Sequence, residues 1–213
     1  MKPGFNLQAR IASAALATTL VAGGCAMMAP RAKHYVPPPV GSSWVNAEHT
    51  TGSYGSGNAQ VSVTRGERMW QGQQLVTYDT SQSTLLSRQD GRWIGMYKGD
   101  EPLITWDPPL IWDWPLEVGK TWTHSHRITI HAAKRTIPYE VTQKVEAYED
   151  VTVPAGTFKV FRLSSSSTLG EENTIWFNPE LGIFVKQSYR RLANNAQGPG
   201  TRDVELVSQT IRR

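Results

Sequence analysis

The chain has 213 residues, of which 39% are hydrophobic, 9% aromatic and 19% charged, with 18 Gly, 13 Pro, a single Cys and a formal charge of +4. These proportions exclude collagen-like, disordered and disulfide-stapled architectures, and no apolar run reaches the ~18 residues of a membrane-spanning helix. Without Lys2 and Arg10 the balance is 20 basic against 18 acidic side chains, and the basic ones occur in pairs such as Arg190 with Arg191, which leaves no nucleic-acid-binding face.

Residues 1–24 have the three parts of a secretory signal: Lys2 and Arg10 in a positive head, an apolar stretch over 11–22, and the small residues Gly23 and Gly24. Cys25 follows directly. The run Val21, Ala22, Gly23, Gly24, Cys25 resembles the lipobox of bacterial lipoproteins, with Ala22 where Leu is most frequent. That resemblance implies cleavage before Cys25, a diacylglycerol on its thiol and fatty acylation (palmitate) of the new amino terminus. Ala26 in place of Asp implies sorting to the outer membrane, with the domain facing the periplasm or the cell surface. The membrane is therefore the partner expected through Cys25, and several acyl chains hold a protein far more firmly than one.

Residues 25–43 then read as anchor and tether. Pro30, Pro37, Pro38, Pro39 and Gly41 with few large apolar residues predict a semi-extended spacer, at ~3.1 Å per residue reaching on the order of 50 Å from the bilayer. A single β-domain is expected over 44–213.

Within that domain the apolar residues alternate every second position between turn signals, and no window keeps a helical period. Strands are predicted at 60–64, 74–80, 84–88, 92–98, 103–106, 127–132, 140–148, 157–163, 174–177, 183–189 and 204–211. Gln71-Gly72, Asp90-Gly91, Gly99-Asp100, Pro108-Pro109, Pro154-Ala155-Gly156 and Asn178-Pro179 separate them. Asp90-Gly91 is the sharpest hairpin signal, because both residues tolerate positive φ. The fold class is mainly β: a single antiparallel meander curled into a half-barrel or open barrel, burying one face by closing, curling or folding over itself.

Three patches carry a resemblance: WPLEVGKTW at 114–122, VPAGTF at 153–158 and IWFNPELGIFVK at 175–186. Their order and spacing are similar to a loose group of secreted bacterial β-rich proteins of unknown function, over roughly residues 106–189. Some members of that group resemble the half-barrel of the lipoprotein-localisation factors LolA and LolB, which hold acyl chains in a concave apolar cavity. The resemblance implies no catalytic residue.

Among eight tryptophans, Trp106, Trp112, Trp114 and Trp122 fall within seventeen residues, and Trp176 lies in the third patch. These five are the candidate ligand-facing residues, since indoles line apolar cavities and stack on sugars; the competing reading is that they fill a curved sheet. His124 and His126 share a strand face and could begin a zinc site, but no third ligand is identifiable. Asp107 and Asp113 are the best-placed carboxylates. No nucleophile elbow, phosphate loop or dinucleotide motif occurs, so no catalytic residue, metal or cofactor is assigned. The leading expectation is a non-catalytic, lipid-anchored envelope protein that binds an apolar or amphipathic envelope component or a partner protein. The alternatives are a structural or interaction module without a ligand site, and a hydrolase of envelope polymers.

Overall fold

The structure, a computed structural model, describes residues 30–212. The signal segment, Cys25 and residues 26–29 lie outside the described residues. The elements are β1 (Arg31–Ala32), β2 (Ser43–Gly52), β3 (Gly57–Trp70), β4 (Gln73–Asp79), β5 (Thr84–Ser87), β6 (Trp93–Lys98), β7 (Glu101–Leu110), β8 (Leu116–Glu117), β9 (Thr121–Ile130), β10 (Arg135–Val153), β11 (Gly156–Ser167), β12 (Glu171–Asn178), β13 (Ile183–Arg191) and β14 (Gly200–Gln209). All but β1 and β8 form one antiparallel sheet in chain order, a meander as expected, and of the expected ways to bury a face it takes full closure.

The ring closes where β14 pairs with β2, from Gly200 opposite Gly52 to Gln209 opposite Trp44. The strands meet closely there: a Cβ on Gly52 would lie 2.4 Å from the Pro199 carbonyl oxygen, and Gly52 has φ of 62°. Only glycine fits such an approach. Arg202 grips Glu48 across the seam with two bonds, of 2.6 and 3.2 Å, and the hydroxyls of Thr51 and Thr201 meet at 2.8 Å.

Because neighbours are antiparallel, connections alternate between the two ends of the barrel. The upper end carries the turns at 53–56, 80–83, 99–100, 131–134, 168–170 and 192–199. The lower end carries 71–72, 88–92, 111–120, 154–155 and 179–182, together with the chain entering β2. Asp90-Gly91 makes its hairpin, with Gly91 at φ of 84° and the Arg88 N–H bonded to the Arg92 carbonyl.

Opposed residues on neighbouring strands share a face, so the register sorts the interior into rows. Val145, Leu163, Ile175, Gln187 and Val204 form a lower row, mostly apolar. The next row up holds Trp122, Gln143, Ser165, Asn173, Tyr189 and Arg202, and the one above it His124, Val141, Ser167, Glu171 and Arg191. The interior therefore grades from apolar below to polar above.

Toward the lower end the central hairpins are buried on both faces. Phe161, Phe177 and Phe184 join one cluster with Leu116, Trp122, Val145 and Leu163, while Val160, Trp176, Ile183 and Val185 join another with Trp44, Val63, Val153 and Leu206. These hairpins turn inward and divide the core. A third cluster, Leu75, Leu86 and Tyr97, lies across its sheet from Val76.

Two expectations are corrected. Pro108-Pro109 lies inside β7 instead of ending a strand; the ladders of β7 with β6 and with β9 pass over both prolines, through a shift of register beside Trp93, so their missing N–H groups cost no bond. Residues 30–43, expected as part of a free tether, are docked as a strap across the lower end. Ala32 and Pro38 are buried, β1 pairs with β8, and the Tyr35 ring packs on Trp114 and Phe177. The Tyr35 hydroxyl bonds Tyr78 and the Gly182 carbonyl, and farther on the Gly41 N–H bonds the Arg65 carbonyl. A short strand pairing, one tyrosine and two small buried residues, Ala32 and Pro38, dock a segment that holds few large apolar side chains.

Truncating a packed aromatic ring costs stability even in a half-buried setting. Tyr35→Ala should therefore lower the unfolding free energy by about 2–3 kcal/mol in a denaturant titration. A free tether would leave the midpoint where it is.

Candidate functional site

The five candidate tryptophans occupy three different settings. Trp122 is buried in the first core cluster and its indole N–H donates to Gln143 Oε1 at 2.8 Å. Trp112 and Trp114 pack against the same cluster from the 111–120 connection: Trp112 stacks on Phe184 with centroids 5.5 Å apart and meets Phe177 edge-on at 5.3 Å, and Trp114 meets Phe177 at 5.9 Å. Trp176 belongs to the second cluster, donates to Glu149 Oε1 at 3.1 Å and lies under the Lys186 ammonium. Trp106 sits on β7 opposite Ile128. Hence Trp112, Trp114 and Trp122 come together, but as packing around two phenylalanines.

Two shallow cavities open to solvent, and neither is lined by these residues. One of about 430 Å³ lies between β9, β10 and the 168–170 turn, against Ser125, His126, Tyr139 and Leu169. Another of about 500 Å³ runs over β2, β3 and β14, against Glu48, His49, Asn58 and Asp203.

His126, on the wall of the first cavity, belongs to the polar upper interior. His124 and His126 share a face, as their spacing predicts, with rings 6.1 Å apart. His124 Nε2 meets Asp113 Oδ1 at 2.9 Å, so the 111–120 connection brings one of the two candidate aspartates to the pair; Asp107 stays exposed on β7. His126 is 5% exposed, and its Nδ1–H donates to the Pro108 carbonyl at 2.8 Å while Nε2 is left without a partner. Burial pushes the His126 pKa below its ordinary value and the His124 ring adds to this, against the opposing pull of the Pro108 carbonyl. Among the described residues no group of three or more His, Cys, Asp or Glu side chains is placed to hold a metal ion.

A second part of this interior gave no sequence signal. Glu171 and Glu172 alternate faces, and Glu171 points inward, where it accepts from Ser167 at 3.3 Å and bonds the Tyr189 hydroxyl. Tyr189 meets Tyr54 edge-on at 5.9 Å, and the Arg191 guanidinium lies 3.8 Å from the Tyr54 ring centre. Burial raises the pKa of both Tyr139 and Tyr189 well above the ordinary phenol value, with the Glu171 carboxylate adding to each. Both hydroxyls therefore stay protonated, and that of Tyr189 donates to the Glu171 carboxylate. Only the inward phase of β12 and β13 distinguishes these residues, and that phase depends on register.

The sign of the His126 shift gives a test. The folded state favours the neutral ring, so its contribution is complete above the unfolded-state pKa of about 6.5 and is lost as pH falls through the lower folded-state value. The wild type should therefore lose stability relative to His126→Phe as chemical unfolding is followed from about pH 7.5 down to about pH 5. Parallel pH profiles would contradict the assignment.

No protein-family profile matches the chain, and no curated protein matches it. Among solved structures, it is similar to a protein described as exported, with a YmcC-like fold, from Bacteroides fragilis (13% identity, TM-score 0.44, covering 84% of this chain and 99% of that one). It is similar also to a protein described as a lipoprotein from Parabacteroides distasonis (11% identity, TM-score 0.44, 84% and 99% covered). A third is the hypothetical lipoprotein YmcC from Escherichia coli (13% identity, TM-score 0.43, 81% and 87% covered). Likeness at this level assigns neither activity nor ligand.

Proposed function

We propose that this chain is a lipid-anchored protein of the bacterial cell envelope, sorted to the outer membrane, that works as a non-catalytic interaction module through its surface. The address rests on the signal at 1–24 and on Cys25. The observation that carries the mode of action is the fate of the indoles: Trp112, Trp114 and Trp122 are spent on Phe177, Phe184 and Gln143. A barrel that fills itself with its own aromatic side chains offers an acyl chain no cavity at that place, which favours the interaction reading over capture of an apolar ligand.

A hydrolase reading has one observation in its favour, the contact between Asp113 and His124 beside His126. A carboxylate orients an imidazole in this way in many acid–base sites. Against it, His126 Nδ1 is held by the Pro108 carbonyl, and Lys120 Nζ ties down the backbone carbonyl oxygens of Asp113 and Pro115 at 2.6 and 3.1 Å, so the surroundings of the pair are engaged in structure.

Expression in a Gram-negative host tests the proposal. Mass spectrometry should find an acylated amino-terminal Cys25, and Cys25→Ser should move the protein from the membrane to the soluble periplasmic fraction. A tryptophan-fluorescence titration of the soluble variant with fatty acids should show no saturable change. Membrane retention of Cys25→Ser would remove the anchor, and a saturable response would restore the apolar-ligand reading.

A further inference from the structure

We infer that the lower end of the barrel lies against the phospholipid bilayer, as a built membrane-contact surface. The inference rests on acylation of Cys25 and adds to it an orientation and a set of contacting residues. The first argument is chain length. Arg31 is fixed opposite Glu117 at the lower end, and Cys25 precedes it by six residues. At 3.3–3.6 Å per residue the fully extended span is about 20 Å, less than half the reach of a free tether over 25–43. Because the strap is docked, the lower end cannot stand far from the lipid. The upper end lies a further strand length away, roughly 30 Å for the ten residues of β2 or β14 before tilt.

The second argument is independent of the anchor. Four large hydrophobic side chains are exposed among the described residues: Val36 (38%), Val40 (63%), Met69 (66%) and Val118 (48%). Val36 and Val40 lie on the strap, Val118 in the 111–120 connection, and Met69 beside the 71–72 turn. All four belong to the lower end, and the six upper turns carry none. Single exposed apolar residues are ordinary, but their confinement to the end that carries the anchor is what an interfacial surface requires. Each apolar group placed in the headgroup region adds to a lipid anchor and fixes how the domain is turned.

The test uses the full-length acylated chain in nanodiscs of phosphatidylethanolamine and phosphatidylglycerol. Single cysteines are introduced by Val40→Cys, Met69→Cys and Val118→Cys, with Lys134→Cys in an upper turn as the control, and labelled with an environment-sensitive fluorophore; the Cys25 sulfur is blocked by its thioether. Nitroxide-bearing lipids should quench the three lower labels at least about two-fold and leave the label at 134 unchanged. Equal, weak quenching at all four positions on a chain whose mass shows the acyl groups would overturn the contact while keeping the anchor. A mass without acyl groups would overturn the anchor and, with it, the inference.

Discussion

The pairing of β14 with β2 is the constraint on which the rest of the molecule depends. Every other pair of neighbours in the ring is consecutive in sequence, apart from β7 and β9, which the 111–120 connection joins, whereas this seam joins residues about 150 positions apart, at a loop-closure cost that local hairpins avoid. Its sequence is built for the task in three zones. Gly52 and Gly200 allow close approach at the upper end, Arg202 and Glu48 lock the middle with a bidentate pair, and Trp44 and Leu206 are buried below. Leaving the seam open would expose two long edges, each a template for unwanted strand addition.

A ring of twelve strands creates the next problem, because its interior is wide and must be filled. The chain solves this with its own elements. The ends of the central hairpins bend inward, so that Val160 and Phe161 are both buried although they face opposite ways. The strap brings Tyr35 and Pro38 across the lower opening, and the 111–120 connection adds Trp112 and Trp114. Above this filled half, Glu171 accepts from Ser167 and Tyr189, and Arg191 donates to Ser53 and covers the Tyr54 ring, which keeps the upper interior polar. The apolar end and the polar end then differ in what they can touch. Under the proposed anchoring at Cys25, that difference and the docked strap together orient the domain.

Much of this was legible in the chain. Two-residue alternation found most of the strands, and Asp90-Gly91, Pro154-Ala155 and Asn178-Pro179 marked real turns, because turn chemistry is local: Asn178 Oδ1, for example, accepts the Leu181 N–H at 2.6 Å. Strand β2 was missed since SWVNAEHTTG shows little alternation; it is recruited by the partners on either side of it. Pro108 and Pro109 misled because a proline ends a strand only where its N–H is needed. The strap and the upper polar network were invisible for a common reason. Their packing depends on residues more than forty positions away, such as Tyr35 on Tyr78 and Gly182, or Arg191 on Tyr54, and composition carries no such information. Of the five tryptophans only Trp112, Trp114 and Trp122 come together, while Trp106 and Trp176 sit elsewhere, because spacing along the chain carries no information on which strands become neighbours.

The most direct test of this account is a cross-link at the seam. His49 and Asp203 face each other in the β2–β14 register, and a disulfide needs Cα atoms about 4.4–6.8 Å apart. In a Cys25→Ser background, His49→Cys with Asp203→Cys should oxidise to an intramolecular disulfide that raises the unfolding free energy by about 2–4 kcal/mol. Failure of that pair to close, with closure instead of His49→Cys with Thr201→Cys two residues out of register, would contradict the barrel as described.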